Sequence, residues 1–147
     1  MVEITYVEEI DVAASPEAVF DHRLDFENLP AVNPNVANLS RTDGGSAPGP
    51  GATYAFDTTI PGMGTIPTTL TVVEAKRPAL IVNEMEAGLR AREVTTFSPA
   101  GEGTHVRFEV TIFAPDEVDE AGKAFIAESG SKQVRAELEH MKKALEV

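Results

Sequence analysis

Residues 2–13, "VEITYVEEIDVA", alternate: Val2, Ile4, Tyr6, Ile10 and Val12 share one phase, and Glu3, Thr5, Glu9 and Asp11 the other. A period of two predicts a half-buried strand. Glu8 breaks the apolar phase. Six further segments read as strands: 36–42 (the weakest), 52–60, 65–76, 79–86, 90–98 and 104–113. The last alternates most strongly, with Val106, Phe108, Val110 and Ile112 against His105, Arg107, Glu109 and Thr111. "PGMG", Gly88 and "PAGEG" supply turns between successive strands, so the sheet is expected to be antiparallel.

Two stretches break the period. In "SPEAVFDHRLDFENLP" (15–30), Ser15 is a good N-cap and Pro16 suits a first helical position. Val19, Phe20 and Leu24 can face inward together. Asp25 is expected to cap a second short turn to Leu29, with Pro30 and Pro34 as its stop. The tail from Asp116 to Val147 has helical composition, and Val134, Leu138, Met141 and Leu145 fall on one helical face. Phe125 falls roughly opposite, unless a kink at Gly130 re-aims it. No repeat, linker or low-complexity tract divides the chain, so residues 1–147 read as one α+β domain: an antiparallel sheet, two short helices after strand 1, and a long C-terminal helix packed on the sheet.

The order of elements, "SPEAVFDHRLDFENLPAVNP" after strand 1, "GATY" at a strand start, "GEGTHVRFEV" and the terminal "LEHMKKALE" resemble the START-like, Bet v 1-like (SRPBCC) superfamily, and within it the bacterial polyketide cyclase/dehydrase-like branch. The resemblance covers nearly the whole chain. It implies a helix-grip fold, a curved seven-stranded antiparallel sheet around the long helix, with a cavity closed at one end by the two short helices. It also implies a small hydrophobic ligand such as a lipid, polyketide or quinone. Other members cyclise polyketides or associate with chaperones.

Charge narrows the partners. Lys plus Arg total 12 against 24 Asp plus Glu, a net charge of −12. That balance opposes nucleic acid and anionic membrane surfaces, which need clustered cations. No apolar run approaches a membrane span, and "MVEITYVEEID" is not a signal peptide, so integral membrane association is not expected and a cytoplasmic location is. With no cysteine and no metal-ligand spacing among His22, His105 and His140, no metal or cofactor is expected. Oligomeric state stays open, a homodimer included.

Candidate chemistry is sparse. Phosphate-loop, dinucleotide and nucleophile-elbow motifs are absent. Tyr6, Tyr54, Phe56, Met85 and Phe108 suit an apolar cavity wall, the two tyrosines adding hydroxyls, and Met63 in "IPGMGTIP" suits a mobile tip near its mouth. A two-residue turn at Ala87-Gly88 would set Asn83 opposite Arg92 and Met85 opposite Arg90. If that face is inward, Asn83 and Arg92 enter the cavity, and Arg92 needs a counter-charge such as Glu8, because an unpaired buried Arg costs several kcal/mol. A shifted register puts Arg92 on the surface instead. Three functions are therefore weighed. The first is a carrier or sensor of an apolar molecule. The second is a cyclase/dehydrase-type enzyme with Glu84, Arg92, a Tyr or His22 as acid–base groups. The third is a module for a protein partner, using an exposed patch that includes Phe125.

Overall fold

The computed structural model describes residues 1–146; Val147, at the end of the expected terminal helix, lies outside them. The strands are β1 (Val2–Val12), β2 (Val36–Arg41), β3 (Thr53–Ile60), β4 (Gly64–Lys76), β5 (Leu80–Ala87), β6 (Leu89–Ala100) and β7 (Gly103–Ala114). They form one curved antiparallel sheet in the order β1-β7-β6-β5-β4-β3-β2. Strands β1 and β2 are successive in sequence and lie at opposite edges. The chain between them must therefore cross the open face of the sheet, and it does so as helix α1 (Pro16–Leu24), a 3-10 turn (Phe26–Asn28) and helix α2 (Leu29–Val32). Helix α3 (Glu120–Leu145) packs mainly along β1 and α2.

Local chemistry sets the boundaries. The Ser15 hydroxyl accepts from the Ala18 amide at 3.2 Å, and Pro16 occupies the first turn of α1. Val19 and Phe20 are buried. The Phe20 ring meets Phe97 edge-on at 5.5 Å between centroids. Asp25 caps the 3-10 turn by accepting from the Glu27 amide. Pro30 does not end this segment as expected. It lies in the first turn of α2, where its missing N–H has no intrahelical partner to lose, and the chain leaves the helix only at Asn33. Helix α3 begins at the Asp119 cap, three residues later than the composition suggests, and runs unbroken through Gly130. Phe125 accordingly stays exposed, while Val134, Leu138 and Met141 are buried.

The β5–β6 hairpin corrects the expected register. Ala87 pairs with Leu89 around Gly88 alone, whose φ of 79° suits glycine. Pairing is thus shifted by one residue, Asn83 opposite Glu93 and Glu84 opposite Arg92, which reverses the faces of β6. Arg92 and Glu84 are about half exposed on the outer face, 3.9 Å apart.

The inner stripe of α3 is the cover on which the sheet's core depends. Truncating Leu138, 1% exposed, is expected to lower unfolding free energy by about 2–5 kcal/mol, read as a lower urea midpoint at unchanged slope.

Candidate functional site

Between the sheet, α2 and α3 lies a cavity of about 110 Å³. Phe56, Leu70, Met85 and Val134 supply apolar wall. Tyr6, Arg23, Asn33, Glu93 and Glu137 supply a polar end.

The strands carry part of that end as a row. Tyr6 on β1 is opposite Val110, Val110 is opposite Glu93, and Glu93 is opposite Asn83. Side chains in one row share a face, so Tyr6, Glu93 and Asn83 all point inward. Asn83 is fully buried and its Nδ2 donates to Glu93 Oε1 at 2.6 Å.

The helices supply the counter-charge from above. Arg23, 6% exposed on α1, donates through Nη1 to Glu137 Oε2 of α3 at 2.5 Å. Asn33, just past α2, donates through Nδ2 to Glu137 Oε1 at 2.9 Å. The guanidinium lies 4.7 Å from the Phe108 ring centroid and 5.4 Å from that of Phe26, so aromatic faces offset part of its lost hydration. Its Nε is buried with no hydrogen-bond partner among the described residues.

One guanidinium thus faces two carboxylates. Burial pushes the Glu93 carboxyl up to about 7; the Glu137 charge adds to the rise, while Arg23 and the Asn83 hydrogen bond oppose it. Burial, then Glu93 and Glu137, raise the Tyr6 phenol. Near neutrality the polar end therefore holds a neutral phenol, an ion pair and a carboxyl that exchanges its proton.

The residues singled out from sequence divide. Tyr6, Phe56 and Met85 line the cavity. Asn83 and Phe108 are buried directly behind its polar end, through Glu93 and Arg23. Tyr54 is a core residue packed on Phe26, its buried hydroxyl unpartnered among the described residues. Met63 is 59% exposed at the β3–β4 turn and does not reach the lining. Glu84 and Arg92 are on the opposite face of the sheet, because of the shifted register. His22 borders a separate small crevice beside Met141, and burial lowers its pKa, with the Arg23 charge adding to the fall. Glu8 faces inward but binds Arg135 and Ser131 of α3, each at 2.6 Å, not Arg92. His105 is on the outer face between Glu9 and Asp11. No group of three or more His, Cys, Asp or Glu side chains among the described residues is placed to hold a metal.

Arg23, Glu93, Glu137 and Asn33 escaped sequence reading. The signal is in the pattern: Glu137 is the second member of the 134-137-138-141 stripe, and Glu93 shares the phase of Thr95 and Phe97.

Two stability experiments probe this cluster. Glu137→Ala strands a buried guanidinium and is expected to cost about 3–5 kcal/mol, whereas the paired replacement Arg23→Met/Glu137→Leu should cost much less. Glu93 gives a pH signature. Its folded pKa of about 7 lies above the ordinary value of 4.5, so the folded state binds the extra proton between them. Stability from Glu93 is full below about 4.5 and is lost as pH rises through about 7. The loss is on the order of 3 kcal/mol. Denaturant titrations of wild type and Glu93→Gln should diverge across that window, the variant lacking this decline.

The family described as Polyketide cyclase / dehydrase and lipid transport matches residues 3–146. No curated protein matches the chain. Among solved structures, the KanY protein is 20% identical over 100% of both chains, with a TM-score of 0.82. A START superfamily protein from Mycobacterium smegmatis is 16% identical over 97% of each chain, at 0.77. The di-domain ARO/CYC protein StfQ of the steffimycin biosynthetic pathway is 16% identical over 99% of this chain, at 0.80, and the chain spans 51% of it. These structures share the helix-grip fold. The chain belongs to the polyketide cyclase / dehydrase and lipid transport family.

Proposed function

We propose that the protein binds a small, mostly apolar molecule carrying a carbonyl or hydroxyl group, as a carrier or sensor. The observation that carries this reading is the division of the cavity, with apolar side chains along one part and Tyr6, Arg23 and Glu93 at the other. Such a site holds a ligand's body by burial and orients its polar group by a few donors. Glu93 Oε1 accepts from Asn83, so a proton on the other oxygen can be offered to a ligand carbonyl. Family membership and the StfQ likeness support an apolar, polyketide-like or lipid-like chemistry for that ligand.

Volume sets the scale. A cavity of about 150 Å³ holds benzene, so 110 Å³ suits a single ring, and a longer polyketide or lipid requires displacement of the helices over the cavity. Thermal shifts and native mass spectrometry against phenols, naphthols, quinones and fatty acids are expected to favour the single-ring phenols and quinones. Absence of binding by every compound, with a crystal structure showing the interior filled by side chains, would remove this reading.

One arrangement favours an enzyme as the second reading: Glu93 is buried beside Arg23 at the polar end of the cavity, where burial pushes its carboxyl up to about 7. As carboxylate it would take a proton from carbon next to a bound carbonyl, and as carboxylic acid it would protonate a departing hydroxyl, releasing water. Deuterium exchange at the α-carbon of cyclohexanone, followed by NMR, tests the first half. Glu93→Gln is expected to slow protein-dependent exchange by about 10²–10⁴-fold with little change in cyclohexanone affinity. Equal rates in both proteins would leave the carrier reading alone.

A further inference from the structure

Gly130 stands in the middle of α3, where glycine is a poor choice. Its backbone is ordinary helix, so no special φ demands it. Space does. A Cβ added there would overlap the Tyr6 hydroxyl oxygen and Cζ, and would lie 2.8 Å from Cε1. The edge of the Tyr6 ring therefore rests directly on the backbone of α3. Both residues line the cavity.

The helix cannot readily lift to admit a side chain at this point. Ser131, the next residue, donates to Glu8 Oε2, and Arg135 pairs with Glu8 Oε1, each at 2.6 Å. Glu8 is two residues from Tyr6 on the same strand and the same face. Strand and helix are thus clamped beside the contact, and Glu8 and Arg135 are 10% and 67% exposed, so the clamp is anchored from the buried side. A side chain at position 130 would have to move the ring instead, and the open space next to it is the cavity.

We infer that Gly130 is a specificity-determining residue: by leaving room for the Tyr6 ring against α3, it keeps that ring in the cavity wall and out of the space a ligand would occupy, with the hydroxyl held at the polar end. The inference rests on the reading of the cavity as a ligand site. It assigns the glycine a part in ligand size, which neither helix propensity nor backbone conformation requires.

The test is a cycle of Gly130→Ala, Tyr6→Ala and the double variant. The probes are phenol, 4-methylphenol and xenon gas. Gly130→Ala is expected to weaken 4-methylphenol by at least about tenfold, to weaken phenol less, and to lower xenon occupancy of the cavity. In the Tyr6→Ala background the same substitution should have no effect on any probe, since the ring it would displace is gone. An equal loss in both backgrounds, or no loss in either, overturns the inference. If neither aromatic binds wild type, the ligand reading fails separately, and xenon occupancy with NMR contacts of the Tyr6 ring still decides whether Gly130→Ala turns the ring inward. If Gly130→Ala does not fold, folding of the double variant supports the steric assignment and its failure overturns it.

Discussion

The buried ion pair between Arg23 and Glu137 is the constraint on which the cavity depends. Sheet order forces the segment between β1 and β2 to cross the open face, and that segment has only two short helices with which to hold itself there. Arg23 fixes it to α3, Asn33 fixes its far end to the same carboxylate, and the guanidinium rests on Phe26 and Phe108. A well-packed apolar pair would serve stability as well or better, because desolvating two charges offsets most of their attraction. What the pair adds is direction. A carboxylate with both oxygens engaged holds α1, the exit of α2 and α3 in one arrangement.

That arrangement modulates the state of Glu93, which burial sets first. With Glu137 taking the direct bond, a second carboxylate nearby lacks a full counter-charge of its own. The cluster approaches neutrality when one proton joins it, and the proton goes to the carboxyl that has only an amide as partner. The pKa of about 7 is therefore set first by burial on the sheet; Arg23 holds it from rising further, and Glu137 adds the smallest push upward.

Alternation and capping make the sheet and helices legible in the sequence, because a face buried on one side imposes a period that the chain cannot hide. The β5–β6 register was not legible. "EAGLR" reads equally as a two-residue loop or as a turn about Gly88, and a one-residue difference moves Arg92 from the interior to the surface. The site was hidden for another reason. Charged residues at apolar phase look like imperfections in a pattern, as Glu8 does in β1. Glu8 is a clamp between β1 and α3, whereas Arg23, Glu93 and Glu137, with the same irregularity, form the polar end of the cavity. Aromatic residues are the more visible candidates for a cavity wall, and of those Tyr54 is core packing.

The difference between carrying a ligand and transforming it then reduces to the path of one proton. A carrier needs Glu93 only as a neutral donor, and its buried position suits that use, since desolvation favours the uncharged form. An enzyme needs Glu93 to change state during each turnover and to be restored afterwards. Arg23 limits the cost of the charged form without claiming it, because its direct bond is to Glu137 while its charge still acts on Glu93. On the proposed reading, that placement leaves Glu93 open to a bound carbonyl or hydroxyl, so uptake of such a ligand and uptake of a proton would be coupled whichever use the protein makes of them.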